Sequence, residues 1–181
     1  MICEEFLRQQ AIQARCFHPV GEWAAFPRAA LDSSIVARFE AMVAHYPSRL
    51  AVKMDDAQLT YTELDQAANR LAHTLIEQAG RDPEPVALLF EQGIDLIVAL
   101  LGVLKAGKFY VPLSSPEPIA RTQAIVADVQ AKVLVTNAAN TNLARQLVAT
   151  KIQIVELEKL APQCANDHLK LQRPPSWPQA S

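Results

Sequence analysis

The chain has 181 residues, 17 basic and 19 acidic side chains, and a net charge of −2. Half of its residues are hydrophobic, enough apolar surface for a core, so a chain disordered throughout is excluded. The near-neutral charge excludes a general nucleic-acid binder, which needs a basic surface to displace counterions, and there is no RNP-type motif, zinc-finger spacing or Lys/Arg run.

The three cysteines, Cys3, Cys16 and Cys164, form no C-x-x-C pair and are expected as reduced thiols. His18, His45, His73 and His168 are scattered singly, so no metal site is expected. The N-terminus, MICEEFLRQQ, has no apolar h-region of a secretory signal. The longest uncharged apolar run, Leu96–Leu104, is too short to cross a bilayer and is flanked by Asp95 and Lys105. A cytoplasmic protein with no membrane contact is expected.

In chain order, residues 1–31 read as a lead-in segment, with a ragged helix over Cys3–Phe17 and an irregular stretch anchored by Trp23 and Phe26. Asp32, Ser33 and Ser34 then offer N-cap oxygens to a helix. Its apolar face is predicted as Ile35, Phe39, Met42, Val43 and Tyr46, with Pro47 as the stop. Leu50–Met54 and Gln58–Tyr61 are predicted as a hairpin turning at Asp55-Asp56. Thr62, with Asp65 three positions on, is predicted to cap the next helix, whose apolar stripe is Leu64, Ala68, Leu71 and Leu75 and whose end is Gly80.

From residue 85 the pattern changes. Val86–Phe90 is a continuous apolar strand, as expected when both faces are covered. A nearly all-apolar helix follows, expected to be buried through Ile94, Ile97, Leu100, Leu101 and Leu104. Gly107 ends it and the chain should reverse into a buried strand, Phe109–Leu113, where Pro112 suits a strand end. Ile119–Val129 (helix), Lys132–Thr136 (buried strand), Leu143–Ala149 (short helix) and Ile152–Glu156 (strand) complete the series. The alternation from 86 to 156 predicts an α/β fold of βαβ units, with a mostly parallel sheet flanked by helices and right-handed crossovers. After Leu160 the chain turns polar and proline-rich, so 161–181 is expected to be a tail or linker.

Among single residues, Lys105 invites a phosphate-binding role, but a cation in a last helical turn is explained by the helix dipole and the free carbonyls there. His45, at a helix end, has the same explanation, and His73 is expected to face solvent. Glu77, Asp82, Glu84, Glu91, Glu156 and Glu158 are expected to be solvated charges.

Two segments go further. LTYTEL at Leu59–Leu64, continued by ANRLA at Ala68–Ala72, and VLKAGKFYVPL at Val103–Leu113 resemble the first two core motifs of adenylate-forming enzymes, closest to the adenylation domains of nonribosomal peptide synthetases. SSPEPIAR (Ser114–Arg121), Asp128 and KVLVTN (Lys132–Asn137) also resemble the family, although Ser114-Ser115 stand where it usually has Asp-Pro. The resemblance covers about residues 31–160 and implies the N-terminal subdomain of such an enzyme as residues 32–160. In the family, ATP and a carboxylic acid form an acyl-adenylate, and the acyl group then moves to a thiol. The phosphate loop, ribose-binding aspartate and catalytic lysine it uses have no counterpart here, and no glycine follows Gly107. The resemblance therefore carries no catalytic or cofactor-binding residue onto this sequence. Leu59, Tyr61, Glu63, Leu64, Lys105, Gly107, Tyr110 and Pro112 are expected as structural motif residues.

ATP and Mg are then expected only of the complete domain, and the chain reads as a truncated portion, inactive alone. Its partner would be the remainder of the adenylation domain or a carrier protein, with self-association through an exposed sheet edge as a further outcome. Two other classes are open: a non-enzymatic docking or binding module for a carrier protein or partner subunit, and a Rossmann-like nucleotide binder. The missing glycine fingerprint after Val86–Phe90 counts against the last.

Overall fold

In a computed structural model of the chain, residues 33–113, 118–147 and 152–160 are described. Apart from Ser33 and Ser34 they fall in one contact unit, Ile35–Ser181. The expected lead-in helix and proline-rich tail lie outside the described residues.

Helix α1 spans Ile35–His45. Its buried position is Val36, 3% exposed, whereas Ile35 is 67% exposed. The expected face was therefore wrong at its first position. Ile35 and Val36 are both apolar, so composition does not choose between them; docking against the helices that follow does. His45 sits at the last residue and its Nδ1 lies 3.1 Å from the Ala41 carbonyl oxygen. The chain turns through Pro47 into β1 (Leu50–Met54), paired antiparallel with β2 (Ala57–Thr60). Asp55 takes φ 52° in the turn, a conformation that aspartate tolerates.

Helix α2 (Tyr61–Ala79) has its cap two residues before the predicted one. Thr60 is the N-cap, and its hydroxyl oxygen accepts from the Glu63 amide at 3.3 Å. The Thr60 amide in turn donates to Glu63 Oε2 at 2.8 Å, closing a capping box. The Thr60 hydroxyl also donates to Glu63 Oε2, at 2.8 Å, and these two bonds to the carboxylate, the backbone one first, hold the Glu63 carboxyl below its usual range. Thr62 does something else: its hydroxyl donates to the Pro47 carbonyl at 3.0 Å and ties the helix start to the loop after α1. Thr60→Ala should lower stability by about 1 kcal/mol in urea unfolding, and Thr60→Ser should keep most of it.

The parallel sheet has the order β4-β3-β5-β6, built from β3 (Pro85–Leu89), β4 (Phe109–Leu113), β5 (Val133–Thr136) and β6 (Gln153–Glu156). Every neighbouring pair is parallel, as the alternation of elements required. Helices α3 (Ile94–Lys105), α4 (Ile119–Asp128) and α5 (Thr141–Leu147) connect the strands. Because successive strand side chains point to opposite faces, two cores form. Leu71 and Leu75 of α2 and Ala99 and Val103 of α3 pack with Val86, Leu88, Val133 and Val135 on one face. Val126 of α4 and Ala144 and Leu147 of α5 pack with Ala87, Leu89 and Leu134 on the other.

Two expectations change here. The fully buried residues of α3 are Val98, Ala99, Gly102, Val103 and Lys105, while Ile97 is 37% exposed. A helix apolar all round carries no polar face to set its rotation, and its smallest residues turned inward, where α2 lies closest. Likewise β4 is an edge strand, with Phe109 50% and Tyr110 40% exposed, and only Leu113 is buried.

Candidate functional site

The second sequence motif forms the end of α3 and its reversal into β4. Gly107 takes φ 72°, which glycine adopts without a Cβ clash. Its amide donates to the Leu104 carbonyl at 3.0 Å, and the Lys108 amide to the Val103 carbonyl at 3.1 Å. That pair of bonds is a Schellman motif, and it aims β4 back along the sheet.

Lys105, two residues before the glycine, is 1% exposed. Its Nζ lies 2.9 Å from Asp65 Oδ1 on α2 and 2.9 Å from Glu40 Oε1 on α1. The Phe39 ring of α1 is 6.0 Å from the ammonium, at the outer reach of a cation–π contact, and 6.2 Å from the Tyr61 ring. Asn69 Nδ2 donates to the other Asp65 oxygen at 3.1 Å. Three helices thus meet at one buried cation. Lys105 is held by these carboxylates of α1 and α2. Buried and clamped by two anions, it presents no face to a phosphate.

Of the first motif, Tyr61 reaches this site through the Phe39 ring. Leu64 is buried, Leu59 and Tyr61 are half-buried, and Glu63 is exposed in its capping box. Tyr110 and Pro112 lie apart, on edge strand β4.

A second ionic cluster sits at the amino ends of the strands. Lys108, 3% exposed, donates to the Asp82 carbonyl at 2.9 Å and the Ala79 carbonyl at 3.3 Å, closing the end of α2. Burial pulls its ammonium below the usual lysine range, against the attraction of Glu84 and Asp82. Glu84 is not a free surface charge. It pairs with Lys132, whose hydrogen bond holds the carboxyl below its usual range. Glu156 pairs with Lys159 at 2.8 Å, and Glu158 accepts from the Ala138 amide at 2.9 Å, so these two are also engaged rather than merely solvated. His73 is half-buried rather than solvent-facing.

The sequence contained one signal for the buried network. Asp65 and Asn69, polar residues spaced i and i+4, sit beside the apolar stripe of α2. Glu40 is 65 residues from Lys105, and nothing local points to it.

In parallel α/β sheets ligands gather at the carboxyl ends of the strands. At that end an open cavity of about 320 Å³ is lined by Asp55, Glu91, Asp95, Gln92, Gly93 and Asn137 among others. Asp95 lies in the first turn of α3 and accepts from Asn137 Nδ2 at 2.9 Å. The carboxylates of Asp55, Glu91 and Asp95 thus stand around the N-terminus of α3, and this lining holds no basic side chain. Beside it, a cavity of about 310 Å³ runs between β2, α2 and α3, with Leu59, Arg70, Val98 and Leu157 in its lining. Among the described residues, no group of three His, Cys, Asp or Glu side chains is arranged to hold a metal ion, and no helix is long and apolar enough to cross a membrane.

Residues 39–180 match the family model for AMP-binding enzymes. The chain belongs to the AMP-binding enzyme family. Among curated relatives, gramicidin S synthase 1 of Brevibacillus brevis is 40% identical over 113 residues, 62% of this chain and 10% of that protein. Tyrocidine synthase 1 of Brevibacillus parabrevis is 33% identical over 141 residues, 77% of this chain and 13% of that protein. Among solved structures, the nonribosomal peptide synthetase FmoA3 in its alpha-methyl-L-serine-AMP bound form superposes with a TM-score of 0.71 at 23% identity, over 80% of this chain and 16% of that one. The fatty acyl-adenylate ligase from L. pneumophila, solved with acyl adenylate and pyrophosphate, gives a TM-score of 0.67 at 25% identity, over 78% of this chain and 26% of that one. This member of the AMP-binding family therefore spans a small part of the proteins it matches. Its α/β architecture is that of the N-terminal subdomain of adenylate-forming enzymes.

Proposed function

We propose that the chain is the N-terminal α/β portion of a domain that adenylates an amino acid or other carboxylic acid in nonribosomal peptide synthesis, and that these 181 residues do not perform the reaction by themselves. The observation that carries the first half is the AMP-binding match over residues 39–180, joined by synthetase relatives at 40% and 33% identity. The second half is supported by the acidic carboxyl rim and by the burial of Lys105, the cation nearest in appearance to a phosphate ligand. ATP and Mg belong to the complete domain, whose remainder is the partner of this portion. A cytoplasmic location goes with that role.

The test is ATP–pyrophosphate exchange by the purified chain with a panel of amino and aryl acids. Exchange should not exceed the no-enzyme background with any of them. Sustained, acid-dependent exchange would overturn the claim of inactivity.

A further inference from the structure

We infer that the cavity between β2, α2 and α3 binds a small zwitterion with an apolar body, of the size and charge of free leucine or phenylalanine. The site is made only of side chains of this portion, so it does not depend on the function proposed above. The cavity holds about 310 Å³, at the lower end of the roughly 300–1,000 Å³ usual for small-molecule sites. Its apolar wall is Leu59 of β2, Val98 of α3, and Leu157 and Leu160 at the turn after β6. Three charged side chains share that lining: Arg70, Asp95 and Glu158.

Arg70 is the group that lacks an answer. It is half-buried on α2, and its guanidinium has no hydrogen-bond or ion-pair partner among the described residues. A guanidinium carries five donors in a planar fork, and one carboxylate satisfies two of them at once. The two acids are placed differently. Asp95 Oδ2 accepts from Asn137 Nδ2 at 2.9 Å, and Glu158 Oε1 accepts from the Ala138 amide at 2.9 Å. Those bonds hold both carboxylates in position and leave each a second oxygen for an ammonium. A guest with a carboxylate alone would answer Arg70 and bring nothing to the acids. A guest with an ammonium alone would leave Arg70 unmet. A zwitterion meets both, and its apolar body covers the wall between them. Asp95 and Glu158 are exposed at the mouth, so the affinity is modest. A Kd on the order of 1 mM is within the usual efficiency of so small a ligand.

The test is titration of the full 181-residue chain with leucine and with phenylalanine, followed by amide chemical shifts. Saturable shifts are expected at Leu59, Val98 and Leu157. Arg70→Gln should weaken binding by about tenfold or more, and Arg70→Lys, which keeps the charge without the fork, should fall between. On the wild type, N-acetyl-leucine lacks the cation and leucinamide lacks the anion, and each should bind about tenfold more weakly than leucine or worse. Glycine, without the apolar body, should lose about tenfold or more as well. No saturable shift up to about 50 mM of either amino acid overturns the inference. Saturable shifts confined to other parts of the chain overturn the cavity as the site. An Arg70→Gln variant with wild-type affinity overturns the role of Arg70, and N-acetyl-leucine bound as tightly as leucine overturns the role of the acids.

Discussion

Lys105→Met is expected to destabilise the protein by about 3–5 kcal/mol, the usual consequence of leaving a buried charge without its counter-ion. Methionine fills nearly the same volume, so little of the effect would come from a cavity. What remains is Asp65, 6% exposed, which would keep its hydrogen bond from Asn69 but lose the counter-ion 2.9 Å away. Glu40, 35% exposed, can turn to water and should matter less. Glu40→Gln should therefore be the milder change. The pair itself is weak evidence of net stabilisation, because desolvation opposes the attraction. Hence Lys105→Met combined with Asp65→Leu should recover much of the loss. Urea midpoints at constant slope provide the measurement. A Lys105→Met variant within about 1 kcal/mol of the wild type would remove Lys105 from its place as the junction of three helices.

Gly102→Ala should also destabilise, although alanine is the better helix former by about 1 kcal/mol. A Cβ at position 102 would stand 2.7 Å from Leu71 Cδ2 and 2.9 Å from both Cβ and Cγ of the same side chain. Two of those atoms lie near the backbone of α2, and Leu71 is 0% exposed, so it has nowhere to swing. Overpacking of this kind costs about 1–3 kcal/mol, which exceeds the propensity gain. In a Leu71→Ala background the contacts with Cδ2 and Cγ are gone but the 2.9 Å approach to the Cβ of residue 71 stays, so the loss should shrink without changing sign. A double-mutant cycle reads that coupling directly. Equal effects of Gly102→Ala in both backgrounds would mean that α2 and α3 do not meet at this residue.

Much of the parallel core was legible in the residues. Val86–Phe90 and Lys132–Thr136 are short, continuous apolar runs, and a strand covered on both faces needs that composition wherever it sits. The reversal at Gly107 was equally local, because a left-handed residue after a helix favours glycine. The capping box was mislocated by two residues because Thr60 and Thr62 both precede an acidic residue at the right distance. Only the loop after α1, which draws Thr62 to the Pro47 carbonyl, separates them.

The candidate site was less accessible. Lys105 at a helix end is ambiguous by composition, and its meaning depends on Glu40, which arrives from a helix far away in the sequence. The rotation of α3 was undetermined for a related reason: a segment without a polar face has no preferred side until a neighbour approaches. For this protein, local chemistry was sufficient for the succession of strands and helices along the chain, the helix ends and the family motifs, since each depends on residues within a turn or two of one another. The three-helix ion cluster, the inward face of α3 and the exposure of edge strand β4 were decided by tertiary packing, since burial and ladder direction exist only once distant segments are brought together.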